Sequence, residues 1–558
     1  MDLNRRDVVK LAAFGSLGVA GLALPVGVAA QTKGVSTLAA KNFPKPYAAP
    51  FRRPPVLKPY RRDLRGDGTV AKAYYSVCAK EGSASFVPGL TTRVWGYNGI
   101  VPGPVIKVDQ GTEVSLRVRN QLPTLSPLHG KDFYTSTHLH GSASLPQFDG
   151  YADDLTYPGS YKMYEYPNFQ EARTLWYHDH GVHYTAQNVY GGLAAQYHLH
   201  DPFERAQLPQ GEFDVPITLS DAIFQRSGEL GFDERGFSGL WGDVILVNGA
   251  PWPTMEVKPR VYRFRILNGC VSRSFRHKLS TGDPFHLVAT DSGLVPKVQQ
   301  LSTFRHGSAE RYEVLVDFRR FTPGTLVTWT NLSNKNNRDY DHTGKVMRFK
   351  VVADTAPPDP YVIPSELDRG PIPEAAWGAR DPMTLTANDA VRRRFLDLER
   401  DDVTNEFKIN GLTWKDVQDQ DLEPIVSNPQ QNDVELWTLE NKSGGWFHPM
   451  HIHLVDFRVL TRNGKPPLAH ELGPKDTVYV GEGEIVKVVM QFHLPQGNTG
   501  GRYMLHCHNL AHEDHDMMQQ FAVQDPRSND PVKSVYPVGD DLEPDDPRYD
   551  DDDDGDGA

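Results

Sequence analysis

Cysteine is nearly absent from this chain: three residues in 558, at positions 78, 270 and 507. So low a count excludes a scaffold built on disulfides, and an odd number leaves a thiol unmatched in an oxidising compartment. Methionine is scarce as well, at ten, and no Met-rich insertion gathers it. Beyond the N-terminal region no apolar stretch is long enough to cross a bilayer, which takes about 20 residues as a helix. An excess of positive charge is also missing. The formal net charge is −12, and the tail DDLEPDDPRYDDDDDGDGA (540–558) accounts for most of it, with eleven acidic residues against one arginine. The body without that tail is close to neutral, so neither a nucleic-acid partner nor a salt-adapted acidic shell is expected. Residues 531–558 read as a solvated, disordered acidic extension.

The N-terminus does carry one apolar run. NRRDVVK (4–10) sets twin arginines before LAAFGSLGVAGLALPVGVAA, which ends in small residues at Val28 and Ala30 ahead of Gln31. This is the layout of an export signal over residues 1–30, and the arginine pair points to the twin-arginine route into the periplasm or the exterior. A single membrane anchor is the competing reading. Small residues before the cleavage point and the many glycines favour removal, leaving a mature protein free of the membrane and expected to be a monomer. If Cys507 is committed elsewhere, Cys78 and Cys270 remain as a disulfide pair, although their separation in sequence offers no geometric support.

What the chain has in quantity is glycine (48) and proline (43), with 39% hydrophobic residues, a composition suited to many short strands joined by turns. Its length calls for several domains. Three segments share one pattern: YNGIVPGPVIKVDQGTEVSLRVRN (97–120), VNGAPWPTMEVKPRVYRFRILN (247–268) and INGLTWKDVQDQDLEPIVSNPQQNDVELWTLEN (409–441). Each opens on an Asn-Gly pair and closes on an alternating strand that ends in asparagine. Such alternation marks half-buried antiparallel strands. The repeats begin 150 and 162 residues apart, a domain-sized spacing. The chain therefore reads as all-β, with three related β-sandwich domains over 31–203, 204–365 and 366–530.

Histidine is the informative residue. With 21 in 558 positions, random placement gives about 0.8 His-x-His pairs, yet there are five: His138/His140, His178/His180, His198/His200, His451/His453 and His506/His508. Residues i and i+2 of a strand face the same way, so each pair can offer two imidazoles to one site. The pair at 198 and 200 lies beside a domain boundary and is read as structural. The second domain has only isolated histidines, His277, His286, His306 and His342, so a shared site must lie between the first and third domains. In LHCH (505–508), an extended backbone turns His506 and His508 one way and Cys507 the other. HPMHIH (448–453) likewise turns His451 and His453 away from His448. One site thus holds Cys507 and His448, with His512 and Met517 downstream to complete it; two histidines, one cysteine and a distant methionine are the blue-copper combination. The opposite side collects eight imidazoles with no carboxylate or thiolate, which fits a multinuclear copper cluster better than zinc or a non-haem iron site. His183, His493 and His515 fall off these spacings and are read as bystanders, and Met450, Met490 and Met504 as core.

The motifs HLHG, WYHDH, HPMHIHL and HCHNLAHEDHDMM, in that order, resemble those of the multicopper oxidases, over about residues 50–525. The wording GGWFHPMHIHLVDF and HCHNLAHEDHDMM is most similar to bilirubin oxidases and the bacterial spore-coat type of laccase. The resemblance implies three consecutive cupredoxin-like Greek-key domains and four copper ions. A type 1 copper falls to His448, Cys507, His512 and axial Met517, and a type 2 copper to His138 and His451. The type 3 pair falls to His140, His178 and His508, and to His180, His453 and His506. Trp446 matches a tryptophan beside the type 1 site, and Asp149 and Glu513 match acidic residues that deliver protons to oxygen. The implied activity couples four one-electron oxidations of a small organic reductant (a phenol, aromatic amine or bilirubin-like tetrapyrrole) to reduction of O2 to water. A metal oxidase for Mn(II) or Cu(I), or a non-enzymatic exported copper-binding protein, are the alternatives.

Overall fold

The three Asn-Gly pairs all turn the chain at the end of a strand, with φ of 56° and 70° at Asn98-Gly99, 49° and 71° at Asn248-Gly249, and 54° and 77° at Asn410-Gly411. Asparagine and glycine are the residues that enter this left-handed region at least cost. Each asparagine also docks its turn on the preceding strand. The Asn98, Asn248 and Asn410 N–H groups donate to the carbonyls of Cys78, Thr218 and Asp397, and their side-chain oxygens accept the backbone N–H of the same three residues. One local rule is used three times.

The computed structural model describes residues 35–529 apart from 129, 235–237, 373–377 and 496–498. The expected signal segment and acidic tail lie outside the described residues. The described strands form six sheets, which face each other in three pairs. Each pair closes on its own apolar core, centred on residues such as Val77, Leu116 and Tyr177 in the first, Phe264, Val314 and Trp329 in the second, and Leu439, Val488 and Phe521 in the third. In every sandwich a first strand runs parallel to the strand that closes the repeat: Val70–Ala84 with Glu113–Gln121, Asp214–Ala222 with Val261–Asn268, and Arg392–Arg400 with Val434–Asn441. Parallel neighbours need a crossover connection, so each of the three cupredoxin-like sandwiches repeats the same crossover.

The closing asparagines are equivalent too. Asn120, Asn268 and Asn441 are buried, and their amides donate to loop carbonyls at Phe133 and Thr156, at Arg273 and His306, and at Trp446, Val480 and Gly481 respectively. A buried carbonyl left unpaired costs about 1–3 kcal/mol, so an amide is required there. The structure closes one question the sequence left open: none of the three cysteines is in a disulfide, and Cys78 donates to Gln121 Oε1 at 3.0 Å. His277 and His306, isolated in sequence, are joined through Nε2 and Nδ1 at 3.0 Å, because antiparallel pairing brings their strands together.

Candidate metal centre

Four strands carry the histidine pairs. In the first sandwich Thr137–His140 runs antiparallel to Arg173–Asp179, with His138 opposite His178. In the third, His448–Ile452 runs antiparallel to Gly500–Cys507, with Met450 opposite Cys507 and His451 opposite His506. Cross-strand partners share a face, so Cys507 joins His448 on one side and His506 joins His451 on the other. All eight imidazoles of the four motif pairs are fully buried between these two sandwiches.

Most of these rings use one nitrogen to anchor themselves outward. His138 and His178 place Nδ1 against the carbonyls of Asp149 and Asp179. His451 Nδ1 lies 2.9 Å from the Asp476 carbonyl, His453 Nδ1 2.7 Å from Asp149 Oδ2, and His506 Nδ1 2.8 Å from Glu513 Oε2. His140 reverses the pattern, with Nε2 3.1 Å from Asp476 Oδ1. The nitrogens left over point inward and meet each other. Nε2 of His138 is 3.4 Å from Nε2 of His451, and Nε2 of His506 is 3.1 Å from that of His180 and 3.2 Å from that of His453. His140 Nδ1, His178 Nε2, His180 Nδ1 and both nitrogens of His508 find no hydrogen-bond partner, and the His506 Nδ1 approach to Glu513 Oε2 is an ion-pair contact without hydrogen-bond geometry.

Burial favours the neutral form of His138, His140, His178, His180, His451, His453 and His508, bringing His178 to about 3 and His180 to about 4. Neutral rings whose N–H groups are spent outward aim lone pairs at lone pairs. Buried polar atoms are not left in that state without a ligand, and convergent imidazole lone pairs are a cation site. The donor sets His138–His140–His451, His140–His178–His508 and His180–His453–His506 each lie within 4.8 Å.

On the other face, His448 Nδ1 is 3.3 Å from Cys507 Sγ and 3.3 Å from His512 Nδ1, and Sγ to His512 Nδ1 is 3.7 Å. The centre of such a triangle lies about 2 Å from each corner, the length of an imidazole–metal bond. His448 Nε2 is held by Ser443 Oγ at 2.8 Å. The Asn509 N–H reaches Cys507 Sγ at 3.4 Å, favouring the thiolate where burial pushes the thiol up. Met517, fully buried, is pinned beside this triangle by its backbone: its N–H donates to the His512 carbonyl and its carbonyl accepts from Cys507. Phe407 stacks on His512 with centroids 3.8 Å apart, and half-buried Trp446 meets the same ring edge-on at 5.4 Å. Arg400 lies over both Phe407 and Trp446.

Two carboxyl groups sit behind the cluster. Asp149 is buried, and burial raises its carboxyl well above the usual range against the opposing pull of Lys162. Glu513 is buried as well, but His506 and His180 override the burial and leave it near 2. Sequence spacing missed Asp476 and Thr477, which grip His140 and His451 from outside, Arg311, which grips Asp476, and Trp176, stacked on His178 at 4.0 Å. Only Trp176 had a sequence signal, its place in WYHDH. His198 and His200 are tied to Gln196 and Glu204, away from the cluster, and His493 to Asn432. His183 and His515 approach Asp516 and Glu234 instead.

Residues 79–202 and 376–527 each match a family model described as multicopper oxidase. A bilirubin oxidase from Albifimbria verrucaria is 40% identical over 494 residues, covering 85% of this chain and 81% of that protein. A laccase from Bacillus subtilis (strain 168) is 31% identical over 528 residues, covering 85% and 97%. The crystal structure of the McoA multicopper oxidase from the hyperthermophile Aquifex aeolicus superposes with a TM-score of 0.72 at 27% identity, covering 85% of this chain and all of that one.

Proposed function

Since the chain belongs to the multicopper oxidase family, and is thus an oxidoreductase with O2 as acceptor, we propose that it takes four coppers and oxidises phenols, aromatic amines or bilirubin-like tetrapyrroles. The observation that carries this reading is the single strand end at 506–508, whose side chains alternate between a thiolate triangle and an imidazole cluster. His448, Cys507, His512 and Met517 would hold the type 1 copper, and His138 and His451 the type 2. His140, His178 and His508, with His180, His453 and His506, would hold the type 3 pair. Copper held there would supply one-electron oxidation of the donor at the thiolate site and reduction of O2 at the cluster.

The chain's own residues supply the rest. Trp446, half-exposed beside His512, offers an aromatic face where a flat donor can settle. Cys507 is peptide-bonded to both His506 and His508, so one peptide link separates the thiolate site from the cluster in either direction. Reduction of O2 to water consumes protons: the Asp149 carboxyl, raised by burial and 2.7 Å from His453, is placed to hold one, and the Glu513 carboxylate, 2.8 Å from His506, to pass one on. The eight imidazoles and their outward anchors keep the cluster rigid and dry.

The test is copper per chain, absorbance and O2 uptake on the copper-loaded protein with bilirubin, phenols, aromatic amines, Mn(II) and Cu(I). About four coppers, a blue thiolate band and uptake on the organic donors are expected. A colourless protein, or uptake on the metal ions alone, rejects the reading. Export through residues 1–30 is part of the same proposal, supported by the arginine pair at 5 and 6; replacing both with lysine should hold the protein inside the cell.

A further inference from the structure

We propose that Arg311, carried by the second sandwich, is a positioning residue for the imidazole cluster: it fixes Asp476, which in turn fixes the rings of His140 and His451. The inference rests on the copper reading above. The second sandwich contributes no ligand of its own to that reading, yet it reaches the residues behind the cluster, with Arg311 on the Asp476 carboxylate and Asp291 on the Thr477 N–H.

Arg311 opens the strand Arg311–Asp317 and is fully buried. Every donor of its guanidinium is used. Nε donates to the Thr174 carbonyl at 2.9 Å, Nη1 to the Ala309 carbonyl at 3.1 Å and to Asp476 Oδ1 at 2.7 Å. Nη2 donates to the Asp291 carbonyl at 3.0 Å and to Asp476 Oδ2. The backbone N–H is held by Asp291 Oδ1 at 2.6 Å. A planar fork tied at five points cannot pivot, so the carboxylate it grips bidentately cannot pivot either.

Asp476 spends what remains on two ligand rings. Its Oδ1 faces His140 Nε2 at 3.1 Å and accepts from Thr477 Oγ1 at 2.9 Å, while its backbone carbonyl faces His451 Nδ1 at 2.9 Å. These two rings stack with centroids 3.6 Å apart. With Nε2 facing Asp476 Oδ1 and Thr477 Oγ1, the His140 ring leaves Nδ1, which has no other partner, for the cluster. Without the guanidinium fork the Asp476 side chain is free to turn, and the His140 ring loses the anchor that fixes its orientation.

A glycine records the closeness of the fit. A Cβ on Gly141, the residue after His140, would lie 2.6 Å from Asp476 Oδ2 and 2.7 Å from Arg311 Nη2. The ion pair passes directly over the histidine strand. Elsewhere in the second sandwich, Arg263 and Arg265 join Glu204, Asp214 and Glu313 in a buried network that meets the first sandwich at Thr174 Oγ1 and whose carboxylates touch none of the cluster rings. That network is what plain interdomain bonding looks like, and Arg311 differs from it by sharing its carboxylate with His140.

The experiment compares full-length, copper-loaded parent protein with Arg311→Met, Arg311→Lys and Asp476→Asn. Copper retained per chain is followed against a graded chelator, beside the blue absorbance and thermal unfolding. Loss of an anchoring partner outside the ligands typically weakens metal binding about 10–100-fold. The expected result is cluster copper released at correspondingly lower chelator, unchanged blue absorbance, and an intermediate position for Arg311→Lys. If Arg311→Met does not fold, the other two variants decide. Variants that melt earlier yet release copper as the parent does would overturn the proposal and leave Arg311 as interdomain bonding. A parent that binds no copper would instead overturn the copper reading itself.

Discussion

Cys507 Sγ lies 3.3 Å from His448 Nδ1, while the residues on either side of it, His506 and His508, point into the other cluster. Period-two alternation alone produces this division. It predicts that the two sites can be emptied separately. Cys507→Ser removes the thiolate but leaves the strand pairing of His506 with His451 untouched. The variant should be colourless, with copper lower by about one per chain and the cluster still loaded. Loss of all copper would mean that the thiolate also holds the cluster together.

Glu513 Oε2 lies 2.8 Å from His506 Nδ1 and its Oε1 3.8 Å from His180 Nε2. Glutamine has the same shape and keeps a carbonyl oxygen, but it cannot hold and release a proton. Glu513→Gln should therefore retain parent copper content and blue colour while O2-dependent turnover falls by on the order of 100-fold. Equal turnover would reduce Glu513 to an anchor for His506.

Acid should weaken the seam where His470 of the third sandwich packs on Phe304 and Tyr312 of the second, before pH reaches the ordinary carboxylate range. Burial holds His306 near 4, with Glu310 pulling upward and Lys475 and His470 pushing down. Burial likewise holds His470 near 4, with Glu471 and Glu310 opposed by Arg305 and Lys475. A depressed folded-state value means that the unfolded chain takes up the proton first, from the ordinary 6.5 downward, so stability falls as pH drops from 6.5 toward 4. Glu310, held near 2 against burial by Lys475 and His306, adds stability above 4.5 that is lost as pH falls below it. Denaturant unfolding at pH 7 and pH 5, at fixed copper loading, should show a drop on the order of 1 kcal/mol for each histidine. His470→Gln should flatten that slope, and an unchanged slope would remove His470 from the account.

The strand periods, the Asn-Gly turns and the ligand motifs were legible because each is a local pattern: its chemistry is complete within a few residues. Cys507 and His506 could be sent to opposite sites from alternation alone. Asp476 and Arg311 could not be found that way, since one lies 25 residues past His451 and the other 165 residues before its partner. Nothing in the local sequence distinguishes that aspartate from its neighbours until the second sandwich is docked. The His277–His306 contact was hidden for the same reason, being a product of strand pairing across 29 residues.

Gly141 separates backbone strain from steric fit at this hidden contact. Its φ is +88°, and Gly159 in the same domain has φ +86°, but a Cβ on Gly159 would meet nothing within 4 Å. Both alanine variants incur the left-handed penalty of about 1–2 kcal/mol. Gly141→Ala must in addition push a methyl against Asp476, Arg311 and Leu175 Cδ2, the last at 2.7 Å. Two of those three neighbours belong to a carboxylate and a guanidinium held at every donor, so the room has to come from the strand carrying His138 and His140. Denaturant unfolding should place Gly141→Ala at least about 2 kcal/mol below Gly159→Ala, and only Gly141→Ala should release cluster copper more readily. Equal losses in the two variants would show that the ion pair yields, and that the glycine of the HLHG motif serves the turn alone.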